Sequence, residues 1–185
     1  KLREMAFRDG LTGLYNHRYF QEFLDRELSR ARRYERTFSL IMLDLDHFKK
    51  INDKFGHPIG DIVLVEISKL ISDTIRSSDF AARYGGEEFA LVLPETDLEG
   101  AAVLAERIRI GVEQLEICVG DSNINTTISA GATCYKFSYG KKEKSEIILL
   151  ADNALYYSKK AGRNKISLVS ADDPTRLQKS EIQLS

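Results

Sequence analysis

Acidic side chains at the tips of apolar segments are the part of this chain that could do chemistry. Asp44 and Asp46 close the apolar run Phe38–Leu43. On an extended chain their carboxylates leave the same side while Leu45 leaves the other. A second acidic pair, Glu87 and Glu88, follows Gly85-Gly86 between two β-rich segments, Asp79–Tyr84 and Phe89–Leu93. Glycine at a hairpin tip lets a polyanion approach the backbone without side-chain interference. Carboxylates gathered in this way suit a hard cation. Magnesium takes one or two of them together with substrate phosphates, and a pair of ions clamps both sides of a displacement at phosphorus. Alone, the same string also reads as an ordinary hairpin with solvated glutamates, and the rest of the chain decides. An EF-hand does not fit, because Asp44-x-Asp46 lacks the glycine and glutamate that such a loop needs further on.

Cationic and amide groups follow at intervals. Lys49 suits phosphate charge. Asn52 and Asp61 together match the edge of guanine, the amide donating to O6 or N7 and the carboxylate accepting from N1 and N2, whereas adenine offers no N1 donor. Each has a plainer reading: Asn52 as a helix surface residue and Asp61 as a helix N-cap. Lys159 and Arg163 lie four apart at the end of a predicted helix, on one face. There they either hold phosphate or complement the helix dipole ahead of the stop signal Gly162, and both roles are compatible.

The elements that must position these groups alternate. After a helix-like lead, Lys1–Phe7, comes the turn-rich stretch Asp9 to Asn16. Asn16 caps a helix to about Tyr34, with Phe20, Phe23, Leu24, Glu27 and Leu28 at helical spacing. Phe38–Leu43 reads as a buried strand. A helix is predicted over Asp61–Ile75, its apolar face drawn through Ile62, Val65, Ile67, Leu70 and Ile71. Two strands flank Gly85-Gly86, and a helix runs from Asp97 to about Gln114. Strand Thr126–Cys134, helix Ser145–Ala161 and strand Lys165–Val169 follow. The order predicts an α/β (α+β) domain with a mixed sheet covered by helices. From Ser170 onward apolar periodicity fades, and a mobile polar tail is expected.

Composition narrows the partners. The chain has 185 residues, 43% of them hydrophobic, enough for one sizeable core. A formal net charge of −1, from 27 basic and 28 acidic residues, lacks the basic footprint of a DNA binder, so a phosphate ligand must be held locally. Cys118 and Cys134 lie in apolar stretches without CxxC spacing, which predicts buried free thiols in a reducing cytosol. No apolar run reaches membrane-spanning length. A cytoplasmic protein is expected.

Taken together, these residues strongly resemble the GGDEF-domain diguanylate cyclases. The resemblance runs from about residue 9 to 169. It begins at Asp9-Gly10-Leu11-Thr12-Gly13-Leu14-Tyr15-Asn16 and continues through Asp44-Leu45-Asp46-His47-Phe48-Lys49, Asn52-Asp53, Gly56-His57 and Gly60-Asp61. It then takes in the GGEEF form of the signature, Gly85-Gly86-Glu87-Glu88-Phe89, and ends with Tyr156, Lys159, Ala161, Gly162, Arg163 and Asn164. It implies a sheet of about five strands wrapped by helices, like nucleotidyl cyclases and polymerase palms. It implies condensation of two GTP into cyclic di-GMP with release of two pyrophosphates, assisted by magnesium or manganese, two ions per GTP. Carried over by position, Asp44, the Leu45 carbonyl and Glu87 hold metal. Asn52 and Asp61 read guanine with His57 nearby. Lys49, Lys159, Arg163 and the amides of His47 and Phe48 hold the triphosphate. Either Glu87 or Glu88 takes the proton of the attacking 3′-hydroxyl. Since one domain binds one GTP, catalysis implies a homodimer, and residues 1–8 look like the end of a linker from an upstream sensory domain. Arg76-Ser77-Ser78-Asp79 resembles the family's inhibitory product site, R-x-x-D. A surface salt bridge is the plainer alternative.

Overall fold

The structure, a computed structural model, describes residues 6–120, 122–172 and 177–179. Among these, α1 (His17–Tyr34) leads into β1 (Thr37–Leu45), and α2 (Phe48–Phe55) and α3 (His57–Thr74) follow as a helical pair. The hairpin β2 (Phe80–Gly85) and β3 (Glu88–Pro94) precedes α4 (Leu98–Gln114), a small hairpin β4 (Ile117–Val119) and β5 (Ser122–Ile124), and β6 (Ile128–Lys136). Helix α5 (Lys144–Lys160), β7 (Ile166–Ser170) and β8 (Leu177–Lys179) complete the order.

The main sheet runs β2-β3-β1-β6-β7-β8. β1 lies antiparallel to both β3 and β6, and β6 lies parallel to β7. Two apolar layers cover it. Phe38, Leu40 and Met42 of β1 face Phe20, Leu24 and Leu28 of α1 and Ile147, Ala151 and Leu155 of α5. Ile41, Leu43 and Leu45 face α2, α3 and α4. This alternation explains why β1 reads as a continuous apolar run, since both faces are buried. Helix α5 lies directly on β6: a Cβ on Gly131 would come within 2.0 Å of the Leu155 nitrogen, so only glycine permits the approach.

Asn16 caps α1 as expected, accepting from the Tyr19 N–H at 3.0 Å, and Asp97 caps α4 through the Gly100 N–H at 2.9 Å. Several expectations need correction. The expected mixed sheet of about five strands is present as β2, β3, β1, β6 and β7, but Leu177–Lys179, inside the stretch expected to be a mobile tail, adds a sixth strand antiparallel to β7. Residues 173–176 and 180–185 of that tail and Lys1–Met5 of the predicted lead lie outside the described residues, while Ser170 of the predicted tail is the last residue of β7. The second helix starts at His57, with Pro58 in its first turn, and Gly56 is its N-cap, so Asp61 is no cap. Its inner face is formed by Gly60, Val63, Leu64, Ile67, Ser68 and Ile71, while Ile62 and Val65 are 40% and 36% exposed. Cys134 is buried, but Cys118 is exposed on the short β4.

Candidate active site

The acids meet where β1 ends and β3 begins. Asp44 is the register partner of Glu88, so alternation puts both side chains on the face covered by α5. Glu87 lies one residue earlier, in the turn, where its carbonyl accepts from the Leu45 N–H at 3.3 Å. The turn is braced from below. Arg83 donates to the Gly86 carbonyl at 2.9 Å and pairs with Asp9 at 3.2 Å. Asp9 also accepts from the amide and hydroxyl of Thr12, so the turn-rich N-terminal motif holds the signature hairpin. Partial burial works against the charged form of Asp9, but the Thr12 and Arg83 contacts outweigh it and its pKa is lowered.

Lys159, at the end of α5, reaches back to Asp44 with Nζ 2.7 Å from Oδ2. Even so, burial raises the Asp44 pKa, with the charge of Asp46 adding to it against the contributions of Lys159 and Arg163. Burial also raises Glu88, together with the charges of Asp44, Asp152 and Glu87, with Lys159 opposing. Asp152 on α5 is raised by burial against Lys159. Burial, more than the neighbouring charges, thus disfavours the ionised form of all three carboxyls, and Lys159 offsets it only in part. A divalent cation fits such a cluster. Among the described residues no three acid, His or Cys side chains form a complete cation cage, so substrate oxygens would have to finish the shell, as suits magnesium.

Beside these acids, α2 begins at His47, whose φ is 59°, and no side chain caps its first turn. Its leading amides form a ready anion site over which phosphate can sit. Phe48 is buried, so it offers only backbone, while Lys49 is exposed in the first turn. Asn52 Oδ1 is buried without a hydrogen-bond partner. Gly60 lies against it: a Cβ there would come 1.9 Å from that oxygen. The neighbour of Gly60, Asp61, is exposed on the same helical pair, with exposed His57 at its start. Asp61 thus follows directly on the residue packed against the Asn52 amide, whose buried oxygen is an acceptor without a donor among the described residues.

A second polar site occupies the other end of the sheet. A cavity of about 650 Å³ is lined by Arg76 and Asp79, by Thr37 and Lys136 at the far ends of β1 and β6, and by Arg107 of α4. Asp79 accepts from the Arg76 backbone N–H at 3.0 Å, and no guanidinium–carboxylate pair joins them among the described residues. The surface salt bridge that the spacing also allowed is not formed.

Residues 6–165 match the family described as diguanylate cyclase, GGDEF domain. The chain belongs to the GGDEF-domain diguanylate cyclase family. It is 42% identical over 171 residues to diguanylate cyclase A of Treponema denticola, covering 91% of this chain and 46% of that protein. Among solved structures, diguanylate cyclase SiaD from Pseudomonas aeruginosa, in complex with its activator SiaC, matches with a TM-score of 0.84. It is 40% identical, covering 91% of this chain and 63% of that one. The coiled coil and GGDEF domain of DgcB from Caulobacter crescentus, in complex with c-di-GMP, matches with a TM-score of 0.84 at 34% identity, covering 91% and 87%. The chain spans less than half the length of the sequence relative from Treponema. No helix among the described residues is long and apolar enough to cross a membrane.

Within this GGDEF domain the structure joins Lys159 to Asp44 and sets Asp44 opposite Glu88, α2 follows β1 after only Asp46 and His47, and Gly60, the neighbour of Asp61, packs against Asn52. Arg76 and Asp79 stand apart from these groups. Sequence reasoning missed Asp152, which presents no motif of its own, and Arg107, a single arginine on an amphipathic helix. It also gave Asp46 no separate role. That carboxylate is buried and wholly engaged by Thr127, Ser129 and Asn164.

Proposed function

We propose that this chain makes cyclic di-GMP from two molecules of GTP, releasing two pyrophosphates. The observation that carries the reading is the cross-strand pair Asp44 and Glu88, with Lys159 on Asp44, followed closely in the chain by the uncapped N-terminus of α2. Asp44, the Leu45 carbonyl and the signature glutamates would hold magnesium or manganese, two ions per GTP. Register favours Glu88 as the partner of Asp44, with Glu87 in the adjoining turn. Such a cation supplies positive charge to the reacting phosphate and its leaving oxygen. Lys49, Lys159, Arg163 and the amides of His47 and Phe48 would hold the triphosphate, aligning its α-phosphorus with an incoming 3′-hydroxyl. Glu87 or Glu88 would take the hydroxyl proton. Asn52 and Asp61, with His57 at the rim, would select guanine.

One such site holds one GTP, so two chains would meet about a two-fold axis to react. The cavity at Arg76 and Asp79 would bind product and slow synthesis. The catalytic domain would span residues 9–169, act in the cytosol and answer to an upstream sensory domain, with residues 1–8 as its link. The test is to incubate the chain with GTP and magnesium and look for cyclic di-GMP by mass spectrometry. Product that disappears in Asp44→Asn supports the reading. Intact GTP at high chain concentration with either metal, beside measurable binding of cyclic di-GMP, would mean a receptor instead.

A further inference from the structure

Asp46 is 4% exposed, and among the described residues no lysine or arginine pairs with it. Its charge rests on hydrogen bonds. Oδ1 accepts from Ser129 Oγ at 2.7 Å, and Oδ2 accepts from Thr127 Oγ1 at 2.7 Å and from the Asn164 backbone N–H at 2.9 Å. The first two join the end of β1 to the start of β6. The third crosses to the turn between α5 and β7, and that turn is unusual. Gly162, Arg163 and Asn164 have φ of 108°, 63° and 46°, so three successive residues leave the ordinary backbone region and two of them carry side chains. L-residues avoid this conformation, and it persists where the surroundings over-determine it.

The surroundings do so from three sides. Asn164 Oδ1 accepts from Arg109 Nη1 at 2.7 Å, and its Nδ2 donates to Glu113 Oε1 at 2.7 Å. Arg109 is itself fixed by Glu106 at 2.8 Å and by Glu113 at 3.0 Å. The Arg163 N–H donates to the Ser158 carbonyl at 3.0 Å. A link between a helix and a strand needs none of this, since a glycine-rich turn would serve. What the clamp settles is the direction in which the exposed Arg163 side chain leaves the backbone, next to Lys159 and the acids. We infer that Asp46 and Asn164 are positioning residues that aim the Arg163 guanidinium at the triphosphate of bound GTP. This rests on the reading of Arg163 as a triphosphate contact given above. The two acids of Asp44-x-Asp46 then divide the work, one facing the reaction and the other holding the group that binds its substrate.

Asn164→Gly tests the inference, because glycine keeps the left-handed backbone and the amide bond to Asp46 while removing both side-chain clamps. In the full chain the KM for GTP and the dissociation constant of a non-hydrolysable GTP analogue should each rise on the order of tenfold, with the melting temperature near the parent's. In an Arg163→Ala background the same change should alter affinity by less than about twofold, since nothing remains to be aimed. Parent-like affinity in Asn164→Gly, or losses that multiply in the double variant, would overturn the inference while leaving the role of Arg163 intact. Parent-like affinity in Arg163→Ala alone would instead remove that role and this inference with it.

Discussion

Asp44 and Glu88, the proposed metal-binding acids, are set where their charges work against the fold. Each is partly buried, each repels the other, and Lys159 answers only part of their charge. Their pKa values are raised in the folded chain, so the folded form binds protons more readily than the unfolded one. The stability they allow is fully present below the unfolded carboxylate range. It is lost as pH rises through the raised values. Glu88→Gln should therefore abolish product formation in the presence of magnesium, and with metal chelated it should melt about 2–4 °C above the parent near pH 7. That advantage should shrink as the pH falls toward about 4, where the parent carboxyl is protonated as well. Calorimetric melting of both proteins across pH checks the sign. A variant that melts below its parent at neutral pH would mean that Glu88 is held by contacts that outweigh its repulsion.

The helical pair α2 and α3 carries Asn52 and Asp61, the groups proposed to read the base, and its packing turns on one hydrogen atom. Gly60 sits so close to Asn52 that a methyl group would push the amide aside. Because the amide is the end of a flexible side chain, the fold would survive while the reader moved. Gly60→Ala should raise the KM for GTP several-fold and narrow the preference for GTP over ATP, with little change in melting temperature. Competition assays with both nucleotides measure it, and an unchanged preference would detach Asn52 from base choice. The same pair marks the limit of sequence reading. Strands β1, β2, β3, β6 and β7 and helices α1, α4 and α5 were legible because long apolar periods and caps such as Asn16 and Asp97 declare themselves. The eight-residue α2 is too short for a period, and it begins at a left-handed histidine rather than a capping side chain. Ile62 and Val65 widened the predicted apolar stripe of α3 beyond its buried face, on which Ile67 and Ile71 do lie, because a helix rich in apolar residues all round gives no sharp phase. The acids and phosphate-binding groups were readable as types at spacings. The engagement of Asp46 was not, since its partners lie on β6 and in a turn 118 residues away.

At the scale of the molecule, two polar sites stand at opposite ends of one sheet. Asp44 closes β1, and Thr37, seven residues earlier and about 23 Å away along a strand, lines the cavity that holds Arg76, Asp79 and Arg107. A ligand there cannot touch the acids, so any brake it exerts must act through the domain or on the meeting of two domains. Under the proposed two-chain reaction the second route is the simpler one, because holding two half-sites apart stops synthesis without altering either. The cavity sets Arg76, Arg107 and Lys136 against Asp79, Glu95 and Asp97, so it offers cations for phosphate beside carboxylates that can accept from a base, around a loop fixed by the Asp79 contact to the Arg76 amide. Arg76→Ala should thus keep the initial rate of cyclic di-GMP synthesis and lose most inhibition by added product, with fewer product molecules bound per chain by calorimetry. The parent should change its oligomeric state in light scattering when product is added, and the variant should not. If Arg76→Ala stays as sensitive to product as its parent, with the same stoichiometry, the cavity is no brake and control of this domain lies in whatever governs its pairing.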